Sequence, residues 1–362
     1  MRVGVLGGGQ LGRMLALAGY PMGLEFRFLD PAPDAPAGML AECITAEYTD
    51  ASVYDRFADG LDVITYEFEN VPVETVRALA DRAPVYPPPA ALSTAQDRLA
   101  EKQYFQRLDI PTPPFAPVES LADLYSALRI TGLPAVLKTR RMGYDGKGQA
   151  TINIAEEAEH AWESLGGRAL ILEGRVPFDR ELSVLAVRGR SGETVYYPLP
   201  ENHHRDGLLR RSIAPATGLD PELQTQAEEY ARRVLDELRY VGVLALELFQ
   251  TGRRLSVNEM APRVHNSGHW TIEGAATSQF ENHLRAVLGL PLGPTEARGR
   301  SVMVNIIGEP PTPSHVLAVP NAHLHLYGKA PRPGRKLGHI TLTVPDDASL
   351  AAGLRRLDEL GL

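Results

Sequence analysis

Two carboxylates stand inside apolar strand-like runs: Glu247 within Val243–Phe249 and Glu259 within Leu255–Met260. A buried carboxylate without a partner is strongly unfavourable, so each position implies a cation. With Asn258 they offer hard oxygen ligands, a set that suits magnesium (or manganese) carrying nucleotide phosphates and lacks the His and Cys content zinc prefers. A pair of buried ion pairs to arginine would satisfy the same carboxylates. Their register depends on the turn: a two-residue turn at Thr251-Gly252 sets Glu247 opposite Ser256, whereas a loop centred on Arg253 sets it opposite Glu259.

Other segments are dense in groups that hold anions. Arg140 to Gln149 packs three glycines (Gly143, Gly146, Gly148) and three cations after a strand ending in Lys138. Glycines let successive N–H groups turn toward phosphate oxygens, which suggests a closing cover over a nucleotide; an exposed hairpin tip is the plainer reading. Arg263, His265, Asn266 and His269 crowd one polar loop, where an arginine fork and a histidine suit a small carboxylate or phosphate, unless they only cap and turn the chain. His203 and His204 are adjacent, so a strand sends them to opposite faces and at most one belongs to a site. Lys329, Arg332, Arg335 and Lys336 lie in a turn braced by proline and glycine, fit either for a substrate phosphate or for solvent. Gly7-x-Gly9-x-x-Gly12, with Asp30 downstream, has dinucleotide-fingerprint spacing and is open to NAD, another small ligand, or a purely structural tight turn.

These residues need elements to place them. A strand at 2–8, a helix from Leu11 to Gly19, a strand ending at Asp30 and another at 62–66 alternate as in an open parallel sheet, closed near Tyr86–Pro89. Helices at 96–108 and 120–130, the second capped by Ser120, precede strands at 134–138, 150–154, 170–173 and 182–187. A helix at 222–238 and paired strands at 241–250 and 255–260 follow, then strands at 301–307, 323–327 and 338–344. The expected fold class is α/β and α+β: a parallel-sheet domain at 1–90, a mixed central domain at 91–291 and a small β-rich domain at 292–362. The 362 residues carry 37 Lys plus Arg against 45 Asp plus Glu, a net charge of −8 that argues against a nucleic-acid partner. Gly7 to Gln10 and Arg13 interrupt the N-terminal apolar stretch, so no secretory leader is expected, and no run approaches the roughly 20 apolar residues of a membrane span. One cysteine, Cys43, suits a reducing cytoplasm.

The ordered set of motifs resembles the ATP-grasp superfamily and, within it, the 5-(carboxyamino)imidazole ribonucleotide synthases. The resemblance is carried by Gly9–Met14, Tyr66–Pro72, Gly143–Gly148, Asn258–Arg263, His265–Trp270, Tyr327–Lys329 and Arg332–His339, and spans almost the whole chain. It implies a pre-ATP-grasp domain, a central ATP-grasp domain with a lid, a small C-terminal domain and a homodimer. It further implies ATP-dependent carboxylation of 5-aminoimidazole ribonucleotide by bicarbonate, through carboxyphosphate. Arg98, Lys138, the lid residues Gly143, Tyr144, Asp145, Gly146, Lys147, Gly148 and Gln149, and Glu173, Gly174, Arg175, Val176, Glu181, His204, Asn258 and Glu259 would surround ATP. The backbone of 173–176 would meet the adenine edge, and magnesium would sit on Glu247 and Glu259. Arg263, His265, Asn266 and Lys147 would serve the chemistry, and Gln10, Leu11, Glu69, Lys329, Arg335 and Lys336 the ribonucleotide. Lys147 stands where arginine is as readily expected, and Val264 where a proline is common. Formate-dependent glycinamide ribonucleotide formyltransferase shares the architecture, but the His265–His269 segment matches the carboxylating family. An NAD-dependent dehydrogenase would leave the lid, the glutamates and the basic turn unexplained; a non-catalytic scaffold would be expected to have lost a metal ligand or a lid glycine.

Overall fold

The computed structural model describes residues 1–143, 148–167 and 169–361. Among these, seventeen strands form three sheets. The first contains β1 (Arg2–Leu6), β2 (Glu25–Asp30), β3 (Glu42–Thr45) and β4 (Val63–Tyr66), all parallel, in the order β3-β2-β1-β4. Val3, Val5, Phe28, Leu29, Val63 and Ile64 are fully buried, as strands covered on both faces require. The order reverses between β1 and β4, and a crevice opens at the carboxyl ends of strands at such a point. The segments that leave these two strands carry Gly7–Leu11 and Glu67–Glu69.

The second sheet is antiparallel: β5 (Phe115–Val118), β6 (Ala135–Thr139), β7 (Gln149–Ile152) and β8 (Leu170–Gly174), in the order β5-β8-β6-β7. The helix over Leu121–Thr131 backs it, and the expected cap is present: the Ser120 hydroxyl accepts from the Asp123 N–H at 3.1 Å. The helix expected at 96–108 is present over Arg98–Arg107, and a further short helix precedes it. The earlier helix, from Pro89, ends at Ala95, and Asp97 caps the later one by accepting from the Leu99 and Ala100 amides.

The third sheet comprises β9 (Arg180–Arg188), β10 (Thr194–Tyr196), β11 (Glu201–Arg205), β12 (Leu208–Ala214), β13 (Gly242–Thr251), β14 (Arg254–Ala261), β15 (Arg300–Ile307), β16 (Ala322–Leu326) and β17 (Lys336–Val344). Its order is β14-β13-β9-β11-β12-β15-β17-β16, with β10 beside β9, so the C-terminal strands continue the central sheet through the β12–β15 pair. Alternation gives this sheet two different faces. Leu182, Val184, Leu244 and Leu246 share a core with Leu223, Ala227 and Val234 of the helix over Pro221–Glu237. On the other face Leu185, Val187 and Val243 share a core with Phe280, Leu284 and Val287 of the helix over Gln279–Leu288. The latter helix also packs on the helix over Gln10–Gly19. Its buried His283 ties two sheets together: Nδ1 accepts from the Val243 N–H at 3.1 Å, and Nε2 lies 2.8 Å from the Thr65 hydroxyl. Burial holds this imidazole neutral, with its pKa down to about 3. No helix among the described residues is long and apolar enough to cross a membrane.

Candidate active site

The helix over Arg98–Arg107 presents charge where an apolar stripe would be expected. Lys102 is fully buried, with Nζ 2.5 Å from the Asn258 carbonyl and 3.3 Å from the Glu173 carboxylate, which also takes Lys138 at 3.1 Å. Burial raises the Glu173 carboxyl, but Lys102, Lys138 and Arg98 outweigh it and hold the group down to about 2. Glu101, also buried, accepts from the Met260 N–H at 2.7 Å; burial, reinforced by Glu259, pushes its carboxyl up to about 8. Neither Glu101 nor Lys102 was expected at the site. The available signal was the Arg98, Glu101, Lys102 and Phe105 spacing, one helical face with three charges on it.

The turn between β13 and β14 follows neither expected register along its whole length. Thr251 faces Arg254 across Gly252 and Arg253, which places Phe249 opposite Ser256, and a bulge at Asn258 then sets Glu247 opposite Glu259. Each carboxylate has a side-chain partner: Glu259 takes the Arg98 guanidinium at 2.6 Å, and Glu247 lies 3.1 Å from His265 Nε2. Burial raises the Glu247 carboxyl, yet His265, His204 and Lys336 bring it down to about 2. The expected arginine pairing therefore holds for Glu259 and not for Glu247. The buried Asn258 Oδ1 has no hydrogen-bond partner among the described residues, and it lines a small pocket with Glu181, His204 and Glu247. No group of three or more His, Cys, Asp or Glu among the described residues forms an all-protein metal cage. Magnesium seldom needs one, since it uses one or two carboxylates plus substrate phosphates, so two facing carboxylates and an orphaned amide oxygen fit it.

His204 Nδ1 lies 2.7 Å from Glu181 while His203 turns out to solvent beside Glu201, so only one of the pair enters the site. Burial opposes the His204 charge, but Glu181 and Glu247 win and raise its pKa. At the end of β8 the Gly174 N–H donates to the Pro114 carbonyl and the Arg175 N–H to the Pro134 carbonyl. A purine edge would therefore meet Val176 and the remaining groups of 173–176. Gly143 accepts from Arg98 Nη2 at 3.4 Å, and Gly148, at φ +69°, accepts from the Thr139 N–H at 2.8 Å. Gln149 starts β7 opposite Lys138. Tyr144, Asp145, Gly146 and Lys147 lie outside the described residues.

The loop after β14 is held by side chains distant in sequence. Arg263 Nε donates to Glu69, and Gln279 clamps His265 by accepting its N–H at 2.9 Å and donating to its carbonyl at 2.7 Å. Asn266 exchanges amide hydrogen bonds with Asn305 of β15, at 3.1 and 2.7 Å. Asn305 is another residue the sequence did not flag. His269 is a core residue, 1% exposed, and burial keeps it neutral.

At the β1/β4 crevice the glycine turn is occupied by the chain itself. The Glu67 carboxylate accepts from the Gly9 and Gly12 amides, the latter at 2.6 Å, and Asp30 accepts from Gly8 at 2.7 Å and Ala32 at 2.8 Å. A Cβ on Gly7, at φ +100°, would lie 2.5 Å from Glu67 Cγ. The amides and acid that a dinucleotide would use are thus spent internally, which removes the dehydrogenase reading. Gln10 Oε1 instead accepts from Lys329 Nζ, joining residues 319 apart in sequence. Leu11 belongs to the core, so only its backbone can reach a ligand. Arg335 donates to the Ala330 carbonyl at 3.2 Å, and the Lys336 charge acts on Glu247 and His204.

Family models for the ribonucleotide synthetase preATP-grasp domain, the ATP-grasp domain and the phosphoribosylaminoimidazole carboxylase C-terminal domain match residues 1–96, 103–280 and 301–353. An N5-carboxyaminoimidazole ribonucleotide synthase from Pseudomonas aeruginosa is 54% identical, covering 99% of both chains. The crystal structure of N5-carboxyaminoimidazole ribonucleotide synthetase from Thermus thermophilus is 62% identical, with a TM-score of 0.96 over 99% of this chain and 98% of that one. A synthase from Aspergillus clavatus, solved with ADP and 5-aminoimidazole ribonucleotide, is 32% identical, with a TM-score of 0.91 over 99% and 98%.

Proposed function

The chain belongs to the N5-carboxyaminoimidazole ribonucleotide synthase family of ATP-grasp enzymes, and from that premise we propose a site-by-site account of its chemistry. It is an ATP-dependent carbon–nitrogen ligase of purine biosynthesis that carboxylates 5-aminoimidazole ribonucleotide. Bicarbonate is the carboxyl source: its oxygen attacks the γ-phosphorus of ATP, ADP departs, and the resulting carboxyphosphate passes its carboxyl to the exocyclic amine as phosphate leaves. Glu247 and Glu259 would hold magnesium, whose chemistry would be charge neutralisation at the phosphate oxygens. Arg98, Lys138 and His204 line the nucleotide with positive charge, and exclusion of water would protect a labile intermediate. Arg263, His265 and Asn266 hold bicarbonate and then carboxyphosphate. Gln10, Glu69, Lys329, Arg335 and Lys336 hold the ribonucleotide.

The observation that carries this reading is the Arg263–Glu69 ion pair, with both side chains mostly buried. It joins the loop that would hold the carboxyl donor to the crevice that would hold the amine, so both reactants are bound within reach of each other. A homodimer in the cytoplasm completes the reading. Cys43 suits that setting, since burial and then Asp30 push its thiol up to about 11 and leave it unreactive.

The test is ADP release with ATP, magnesium and bicarbonate. Stimulation by 5-aminoimidazole ribonucleotide supports the proposal. Stimulation only by glycinamide ribonucleotide with formate replaces the acid substrate, and silence with both returns the chain to a non-catalytic scaffold.

A further inference from the structure

One polar row crosses the large sheet on the face that carries Glu247. Ser183 lies opposite Glu247 between β9 and β13, and Asn202 lies opposite Ser212 between β11 and β12. Ser183, Ser212 and Ser267 are fully buried and Asn202 is nearly so. Buried polar side chains are costly unless each finds a partner, and here they partner one another.

We propose that Ser212, Asn202, Ser183 and Ser267 form a one-way hydrogen-bond chain that orients His265 and fixes its proton on Nε2, facing Glu247. The direction follows from the Asn202 amide as it is oriented, together with the Ser267 N–H, which can only donate and is aimed at His265 Nδ1. Asn202 Nδ2 only donates, so Ser183 Oγ accepts from it at 3.1 Å. Asn202 Oδ1 only accepts, so Ser212 Oγ donates to it at 2.7 Å. Ser183, having accepted, directs its proton to Ser267 Oγ at 2.7 Å, and Ser267 directs its own to His265 Nδ1 at 2.8 Å. The Ser267 N–H points at the same nitrogen from 3.4 Å. With two donors aimed at it Nδ1 presents a lone pair, so the ring proton resides on Nε2, 3.1 Å from Glu247 Oε1. Reversing the chain would leave a hydroxyl proton without an acceptor away from water. The Gln279 clamp fixes the His265 backbone, and this chain fixes the ring. Ser183, Asn202 and Ser212 are therefore positioning residues. Their importance for turnover rests on the reading that His265 holds the carboxyl donor.

The test is nitrogen NMR of histidine-labelled full-length protein, with the His265 signal identified by its absence in His265→Gln. In the unsubstituted protein Nδ1 should carry no proton and Nε2 should carry one; a proton on Nδ1 overturns the proposal without any variant having to fold. In Ser183→Ala or Ser212→Ala the His265 signals should shift toward a tautomer mixture. The Michaelis constant for bicarbonate should also rise roughly tenfold, the worth of about one hydrogen bond, while that for ATP stays within about twofold. Unchanged His265 signals in both variants overturn the chain. Shifted signals with unchanged bicarbonate kinetics support the chain and instead contradict the role of His265 in holding bicarbonate.

Discussion

Glu247 and Glu259 face each other across neighbouring antiparallel strands because a single bulge at Asn258 brings them into register. Like charges in directly opposed positions repel, so the pair persists only with compensation from outside the two strands. Arg98 supplies it to Glu259, and His204 and Lys336 supply it to Glu247, which also takes a hydrogen bond from His265. The two carboxylates thus lie side by side, an arrangement that would fit a divalent cation.

Glu259→Gln keeps the volume and removes one of the two charges. ADP release should fall at least a hundredfold. Glu259 is partly exposed, so the melting temperature should change by only a few degrees. Near-normal magnesium-dependent ADP release from this variant would remove Glu259 from the metal site.

Glu173 should make the fold acid-sensitive. Its carboxyl is held at about 2, below its ordinary value, so the stabilisation is present above the ordinary carboxylate range and is lost as pH falls toward 2. The shift corresponds to roughly 3 kcal/mol. Glu173→Gln leaves the buried Lys102 without its carboxylate at neutral pH and should cost about 3–5 kcal/mol there. Urea unfolding from pH 7 to pH 3 should show the variant losing less stability on acidification than the unsubstituted protein; parallel curves would refute the assignment.

Lys329→Ala removes the cation that Gln10 accepts from. The Michaelis constant for 5-aminoimidazole ribonucleotide should rise tenfold or more, with that for ATP nearly unchanged. Equal increases for both substrates would place Lys329 outside the ribonucleotide pocket.

Asn305→Ala breaks the reciprocal amide pair with Asn266 and frees the loop end that faces the C-terminal strands. Turnover at saturating ATP should drop about tenfold, with a stability loss of about 1–3 kcal/mol. Steady-state kinetics indistinguishable from the parent protein would show that Asn266 needs no such support.

Chemistry carried by contiguous residues was legible in the sequence. The carboxylates in apolar strands, the His265–Asn266 loop, and the strand–glycine–helix alternation of the first domain each leave a local pattern. What was missed depends on pairs far apart in the chain. Glu67 fills the glycine turn across 55 and 58 residues, Lys102 reaches the Asn258 carbonyl, and Asn305 reaches Asn266 across 39. Such pairings impose no periodicity on either segment. The register of β13 and β14 escaped for another reason: a one-residue bulge changes every pairing beyond it, and its trace in the sequence is the single step of the apolar positions from Val257 to Met260. Of β10 to β12 only the strand through His203 and His204 was read; β10, Thr194–Tyr196, is three residues long and leaves almost no pattern.

The most direct test follows a labelled carboxyl carbon. The protein is supplied with carbon-13 bicarbonate, ATP, magnesium and 5-aminoimidazole ribonucleotide, and the product is observed by NMR before it decays. One labelled carbon bonded to the exocyclic nitrogen for each ADP released is the expected result. ADP release without label in the ribonucleotide, or label appearing without ATP, would contradict the proposed reaction.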